Sequence, residues 1–289
     1  MRTDSSDNRA EFRGALACSA VALEHPGTSR ARRSRPGRER PGAARTALLL
    51  EEDDELAQSI PARERGLAAR HLRAQVIDDE HGFRELPRLD PDTGYGLLML
   101  DGLIARRVRL ARAVAVEILG PGDILRPADD LPLAADNQLR AEWKVFQPAR
   151  LAVLDEYITS QLMESAGLSL ALAARLTRRA RRLTYLLAIS HLARVEDRLL
   201  ATLWHLADNW GRITPGGMTV PVPLLHSELG HIVGARRPTV TLAMTSLRDR
   251  ELVIRQRDGS YLLPGDPPAW LPLSGASQDY KSCATAAGR

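Results

Sequence analysis

Apolar positions change their spacing several times along this chain, and each change marks a structural part. ALLLEEDDELAQSI (Ala47 to Ile60) carries an apolar stripe at helical spacing, and ERGLAARHL (Glu64 to Leu72) follows as another short helix. Between Tyr95 and Asp155 the pattern shortens to GLLMLDG, LIARRVRL, AVAVEILG, AEWKVF and RLAVLD, separated by Gly, Pro or Asp turns. That texture predicts a compact antiparallel β-barrel or jelly roll. GPGD at Gly120 to Asp123 suits a type II turn. Leu168, Leu172, Leu176, Leu183 and Leu187 then recur at four and seven residues, which makes one apolar seam. Arg179 and Ala180 fill its gap, so the seam reads as a short dimer helix of about four turns past the gap, and not as a long regular coiled coil. Arg175, Arg178, Arg179, Arg181 and Arg182 have no acidic neighbours in sequence. They fit a solvated helix face, and a contact to the β domain or to a ligand stays open. RVEDRLLATLWHLADNW (Arg194 to Trp210) is a further helix whose Leu199, Leu203, Trp204 and Leu206 read as core.

VPVPLLHSELGHIVGARRPTVTLAMTSLRDRELVIRQRDGSYLL (Val220 to Leu263) parses into two helices and a hairpin. Leu225 to Val233 forms the first helix, and Gly234 supplies the left-handed conformation that a tight turn needs. Leu229, Val233, Val240, Met244 and Leu247 form an inward face. Arg236, Arg237, Thr239, Thr241, Leu242 and Thr245 face outward. Pro238 fits the first turn of the second helix, where its missing N–H costs nothing. The free N–H groups and positive dipole end there favour phosphate, and two adjacent guanidiniums reinforce the preference. Asp258-Gly259 marks the hairpin turn of a wing, with Arg255 and Arg257 near its tip. Helix, turn, helix and wing is an arrangement that places a second helix in the DNA major groove. The competing reading is an ordinary helical hairpin with a solvated charged end.

A length of 289 residues suggests about two domains, and 44% hydrophobic content is enough to build cores. No run reaches the ~18 consecutive apolar residues that a spanning helix needs. GALACSAVAL (Gly14 to Leu23) is a short apolar run interrupted by Glu24, so a cytoplasmic protein is expected. A net charge of +4 is compatible with an acidic partner without demonstrating one. Up to about Arg45 the chain holds ten Arg against Asp4, Asp7, Glu11, Glu24 and Glu39, with Pro and Gly as punctuation. This reads as a disordered basic tail: a solvated one, one included by mistake through an upstream start codon, or an arm that touches nucleic acid. Cys18 and Cys283 lie near opposite ends and make neither a metal site nor good grounds for a disulfide.

Catalytic patterns are scarce. The consecutive residues of HSE (His226 to Glu228) point in different directions on a helix and cannot form a triad. His226 and His231 miss the four-residue spacing of a helical zinc pair. GYG (Gly94 to Gly96) lacks a third glycine, Asp129 and Asp130 read as loop acids, and His71, His81 and His191 are scattered. No enzyme, no catalytic residue, no metal and no cofactor is expected.

The two-helix and wing segment, with the helix before it, resembles the C-terminal half of the Crp/Fnr family of bacterial transcription regulators. LLMLDGLIARRVRL and VEILGPGDIL resemble that family's cyclic-nucleotide-binding-type domain, and the likeness spans about Ala47 to Leu263. It implies an α+β fold with a jelly-roll sensor, a long dimerisation helix and a winged helix-turn-helix. The domains would be a disordered basic tail (1–45), a sensor (46–155), a linker and dimerisation helix (156–193), a winged helix-turn-helix (194–267) and a disordered tail (268–289). It implies that Arg237 reads a guanine and Thr239 contacts a phosphate. Pro238 and Leu242 stand where well-known members have an acidic base-reader and another arginine. Leu225 replaces a common Thr or Ser cap, a loss of ~0.5 to 2 kcal/mol if nothing substitutes for it. Members that bind cyclic nucleotides follow the GD turn with Gly-Glu and then Arg-Ser or Arg-Thr. Here Leu125, Arg126 and Pro127 follow Ile124, and Arg140 precedes Ala141, so the cassette is degenerate.

The expected function is sequence-specific DNA binding by a homodimeric transcriptional regulator, through Arg236, Arg237, Pro238, Thr239, Thr241, Leu242, Thr245, Arg255 and Arg257. Its expected partners are a pseudo-palindromic duplex operator, a second copy of the chain and, as a further candidate, RNA polymerase, with an effector of unknown identity and no membrane. The alternative is a cyclic-nucleotide or other small-ligand binding and dimerisation module without specific DNA readout.

Overall fold

The structure, a computed structural model, describes residues 45–79, 94–126 and 140–271. All of them belong to one unit, Ala43–Arg289. Cys18, Cys283, His81, Asp129, Asp130, Pro127 and the tails up to 44 and from 272 lie outside the described residues.

Six strands form the N-terminal sheet. They are β1 (Arg45–Leu48), β2 (Arg73–Asp79), β3 (Gly96–Leu110), β4 (Ala113–Leu119), β5 (Ile124–Leu125) and β6 (Arg140–Leu154). The order is β1-β2-β6-β3-β4 with β5 on β3, and every pairing is antiparallel. Of the barrel or jelly roll expected, the jelly roll is the one that forms: among the described residues no pairing joins β1 to β4, and the sheet is open. GLLMLDG and LIARRVRL are one strand, β3, and AEWKVF and RLAVLD are one strand, β6. The glycine that punctuated the first pair marks a bulge and not a turn. Gly102 sits at φ 90°, where a Cβ would strike the Pro148 carbonyl, and the register slips between Met99 and Ile104. A one-residue slip exchanges the faces of a strand. Accordingly Leu97 and Met99 share one core cluster with Ile104, while Leu103 and Ala105 turn to another. GPGD forms the expected turn: Gly122 lies at φ 85° and the Asp123 N–H donates to the Gly120 carbonyl at 3.0 Å.

The stripe from Ala47 to Ile60 is only partly helical. It divides into β1, α1 (Leu49–Glu52) and α2 (Asp54–Gln58), because Asp53 leaves the helix to accept from the Leu56 N–H at 3.0 Å. Thus Arg45, the last residue assigned to the tail, opens β1. The second short helix is α3 (Ala62–His71). After β6 come α4 (Glu156–Met163), capped by Asp155, and α5 (Ala166–Ser190), capped by Ser165. At 25 residues α5 is one continuous helix of about 37 Å that runs through the gap, and beyond Ala180 it continues only to Ser190, about three turns and not the four expected there.

The leucine seam of α5 is also not a single face. Leu168 and Leu172 are buried against α1, α2 and α4 residues of the same chain, whereas Leu176, Leu183 and Leu187 are exposed. The arginine face is solvated only in part: Arg178 and Arg181 are exposed, whereas Arg175, Arg179 and Arg182 turn inward. Arg175 grips Asp53 through two bonds of 2.6 and 2.7 Å, Arg178 pairs with Glu55 at 2.7 Å, Arg179 forks onto Glu117 at 2.7 and 2.9 Å, and Arg182 binds Asp123. These acids lie 59 to 123 positions away in sequence, so no local charge pattern announces them.

The C-terminal part comprises α6 (Val195–Trp210), β7 (Arg212–Thr214), β8 (Gly217–Val220), α7 (His226–Val233), α8 (Arg237–Asp249), β9 (Ile254–Arg255) and β10 (Tyr261–Leu263). Its strands are ordered β7-β8-β10-β9, so the wing extends a four-stranded sheet that begins with a hairpin before α7. Leu199, Leu203, Trp204 and Leu206 are buried core, as expected. Order continues beyond 267: Leu271 is buried against this core.

Candidate nucleic-acid interface

Local chemistry sets the angle between α7 and α8. Gly234 ends α7 at φ 66°, ψ 37°, and the Gly230 carbonyl accepts the Ala235 N–H at 2.9 Å. Gly230 lets the chain return this closely, since a Cβ there would lie 2.5 Å from the Ala235 carbonyl oxygen. Leu229, Val233, Val240, Ala243, Met244 and Leu247 are buried between the helices and α6. Arg198 reinforces the joint by donating to the Leu192 carbonyl at 2.6 Å and the Val233 carbonyl at 3.3 Å.

The residues expected to meet DNA emerge on the opposite side. Arg236, Arg237, Pro238, Thr239, Thr241, Leu242 and Thr245 are all exposed. Arg236 is the N-cap of α8 and offers no side-chain cap, and proline lies in the first turn, so the helix start remains open to an anion. Thr241 donates to the Arg237 carbonyl at 3.0 Å, which leaves its hydroxyl oxygen to accept from His226 Nδ1, also at 3.0 Å. Burial, together with the charges of Arg255 and Arg237, lowers the His226 pKa. That histidine, which the sequence offers only as a poor catalytic or zinc-binding candidate, therefore sits in the electrostatic field of this surface.

In the wing, the Gln256 N–H donates to the Ser260 carbonyl at 2.8 Å and the Gly259 N–H to the Gln256 carbonyl at 3.1 Å. Gly259, at φ 88°, completes a three-residue hairpin loop. Arg257 occupies the tip, whereas Arg255 lies on β9 with its guanidinium 5.9 Å from the Tyr261 ring. Both arginines are exposed. Tyr261 is in turn anchored by donating to the Leu224 carbonyl at 2.7 Å.

No side chain caps α7 at Leu225, but the reciprocal half of a capping box is present: Glu228 accepts the Leu225 N–H at 2.8 Å. The other oxygen of Glu228 accepts from Arg107 on β3 and Lys144 on β6, each at 2.6 Å. Leu103, Ala105, Val116 and Ile118 of the sheet also join the C-terminal core. Glu228 thus starts α7 and ties it to the β domain. Its neighbours in HSE gave no sign of this, because both cations come from distant strands.

No group of three or more His, Cys, Asp or Glu is placed to hold a metal among the described residues, and none of their helices is long and apolar enough to cross a membrane.

These features define a winged helix-turn-helix head joined by a long helix to a jelly-roll domain. Residues 197–264 match the Crp-like helix-turn-helix domain family, so the chain carries that domain. A cyclic nucleotide-binding domain containing protein from Listeria monocytogenes has a similar structure (TM-score 0.56, 13% identity, covering 76% of this chain and 99% of that one). So does CLP of Xanthomonas campestris, a c-di-GMP responsive global regulator (TM-score 0.50, 17% identity, 74% and 100% covered). A CooA variant from Carboxydothermus hydrogenoformans is comparable (TM-score 0.50, 16% identity, 76% and 90% covered). At these identities the likeness is one of fold. None of the curated proteins matches the chain. The resemblance to Crp/Fnr regulators holds for the C-terminal domain and for the overall architecture.

Proposed function

We propose that this chain is a homodimeric, sequence-specific DNA-binding transcriptional regulator without catalytic activity, with α8 as the recognition helix. The observation that carries this reading is the fully exposed outward face of α8, headed by Arg236 and Arg237, within a Crp-like helix-turn-helix domain. Arg236 holds a backbone phosphate, and Arg237 bridges guanine O6 and N7 with its planar fork. Thr239 contacts a phosphate beside the helix start, and Arg255 and Arg257 of the wing reach the adjacent backbone. The homodimer is supported by the exposed Leu176, Leu183 and Leu187, which share one side of α5 with Ala173 and Ala180. That spacing of three and four residues is the seam of a two-helix coiled coil. Two heads related by a two-fold axis would read half-sites about 34 Å apart.

The arginines of α5 give the β domain its role. Arg179 and Arg182 occupy Glu117, Asp123 and the Ile124 carbonyl around the GPGD turn, so the β domain grips the helix that carries the heads. An effector acting on that turn would act on α5. An electrophoretic shift tests the function: the purified chain should retard a specific duplex in the presence of excess random DNA. Equal retardation of all duplexes would instead favour a dimerisation module without specific readout.

A further inference from the structure

The centre of the exposed face of α8 is apolar, although its ends are cationic. Leu242 is 73% exposed, the most exposed of the large hydrophobic side chains on this head. At 100° per residue it points away from buried Val240, Ala243, Met244 and Leu247, with Pro238 one turn before it and Thr245 one turn after. The hydroxyls of Thr241 and Thr245 beside it have spent their protons, and that of Thr239 belongs to the helix start. Thr241 donates to the Arg237 carbonyl at 3.0 Å, and Thr245 donates to the Thr241 carbonyl at 3.0 Å. Proline brings no N–H. The next cation along the helix, Arg248, is paired with Asp249 at 2.8 Å. The stripe Pro238, Leu242 and Thr245 therefore has no proton to offer a base edge, and an exposed leucine at its middle has apolar surface to cover.

Resting on the DNA-binding reading above, we propose that Leu242 determines specificity by packing on the 5-methyl group of thymine in each half-site, with Thr245 flanking the same contact. On the major-groove edge the acceptors N7, O6 and O4 and the amino donors require polar partners. The thymine methyl is the group that an aliphatic side chain matches. Arg236 and Arg237 at the start of the helix, with Arg255 and Arg257 on the wing, hold the phosphates and the guanine that bring Leu242 to the groove floor. The half-site would thus combine a guanine read by a guanidinium with a thymine read by its methyl.

The test uses the full chain and the duplex of highest affinity recovered from a random pool. Each thymine of a half-site is replaced in turn by deoxyuridine, which keeps every hydrogen-bonding group and lacks the methyl. At one or two positions the replacement should weaken binding by about fourfold per methyl removed. Leu242→Ala should bind the thymine duplex more weakly and no longer distinguish the two bases at those positions, while melting at the same temperature as the parent because the side chain is exposed. 5-Methylcytosine at those positions should bind better than cytosine. If every deoxyuridine duplex binds as well as its parent, or if Leu242→Ala keeps the full discrimination, the methyl contact is wrong and DNA binding stands. If no sequence is enriched from the pool, the DNA-binding reading fails and this inference fails with it.

Discussion

Replacing Glu228 by alanine removes two different supports at once. One is the bond from the Leu225 N–H at 2.8 Å, and its loss leaves the first turn of α7 uncapped, a cost of about 1 kcal/mol. The other is the ion-paired carboxylate itself. Deleting one member of a fully buried pair costs about 3–5 kcal/mol, because the remaining charge is stranded. Glu228 is 2% exposed, but the side chains of Arg107 and Lys144 are 29% and 38% exposed and regain water, which reduces this part to about 2 kcal/mol. The sum, about 3 kcal/mol, should appear in urea unfolding of the full chain at neutral pH as a lower midpoint with an unchanged slope. For a chain of this size it corresponds to a melting temperature lower by about 6–12 °C. Glu228→Gln keeps an acceptor and loses the charge, and should cost about half as much. Burial works against ionisation of Glu228, yet the Leu225 N–H, Lys144 and Arg107 together hold its pKa below the ordinary 4.5. A carboxylate with a lowered folded pKa contributes fully above the unfolded value and loses that contribution as pH falls through the folded one. The gap between the parent and Glu228→Gln should therefore close in acid. Variants that unfold within about 0.5 kcal/mol of the parent, the range of an ordinary surface substitution, would refute the tie between α7 and the sheet.

Three further outcomes follow from the same geometry. Burial, with the charge of Arg182, lowers the His205 pKa from 6.5 to about 4, and its ring stacks on Tyr185 at 4.8 Å. Stability should be constant in this respect above pH 6.5 and fall by up to about 3 kcal/mol between there and pH 4, a dependence that His205→Phe removes in pH-dependent denaturation. Arg237→Ala should relax base preference by about 1–3 kcal/mol at one position per half-site, whereas Arg236→Ala should weaken all duplexes alike and flatten the salt dependence, as measured by titration at several salt concentrations. Leu183→Glu with Leu187→Glu should convert a dimer to a folded monomer by light scattering, since both leucines are exposed in the single chain. A dimer that persists would move the interface elsewhere.

The parts of the molecule governed by short-range rules were legible in the residues. Gly234 and Pro238 announced the turn and the start of α8, Asp258-Gly259 the wing, and GPGD its turn, because each needs a backbone conformation that few residues supply. Helix periodicity found α5 but could not divide its leucines, since Leu168 and Leu172 facing the chain's own core repeat at the same interval as Leu176, Leu183 and Leu187 facing outward. Contacts between distant strands left no local trace. The partners of Arg175, Arg179 and Arg182, and the double pairing of Glu228, appear only when the sheet and the helices meet. The β7–β8 hairpin escaped notice because RITPGGMTV is short and only partly alternating, although its PGG carries a turn signal. The exposed face of α8 was read correctly as outward, and its apolar centre at Leu242 gained meaning once the threonine hydroxyls were seen to bond to their own helix.

Selection of bound sequences from a random duplex pool tests the central claim most directly. The full chain should enrich a pseudo-palindrome with half-sites about 34 Å apart, each with a guanine whose recovery is lost in Arg237→Ala. A pool that stays random after repeated rounds, with the chain folded and binding every duplex alike, would contradict sequence-specific recognition by α8.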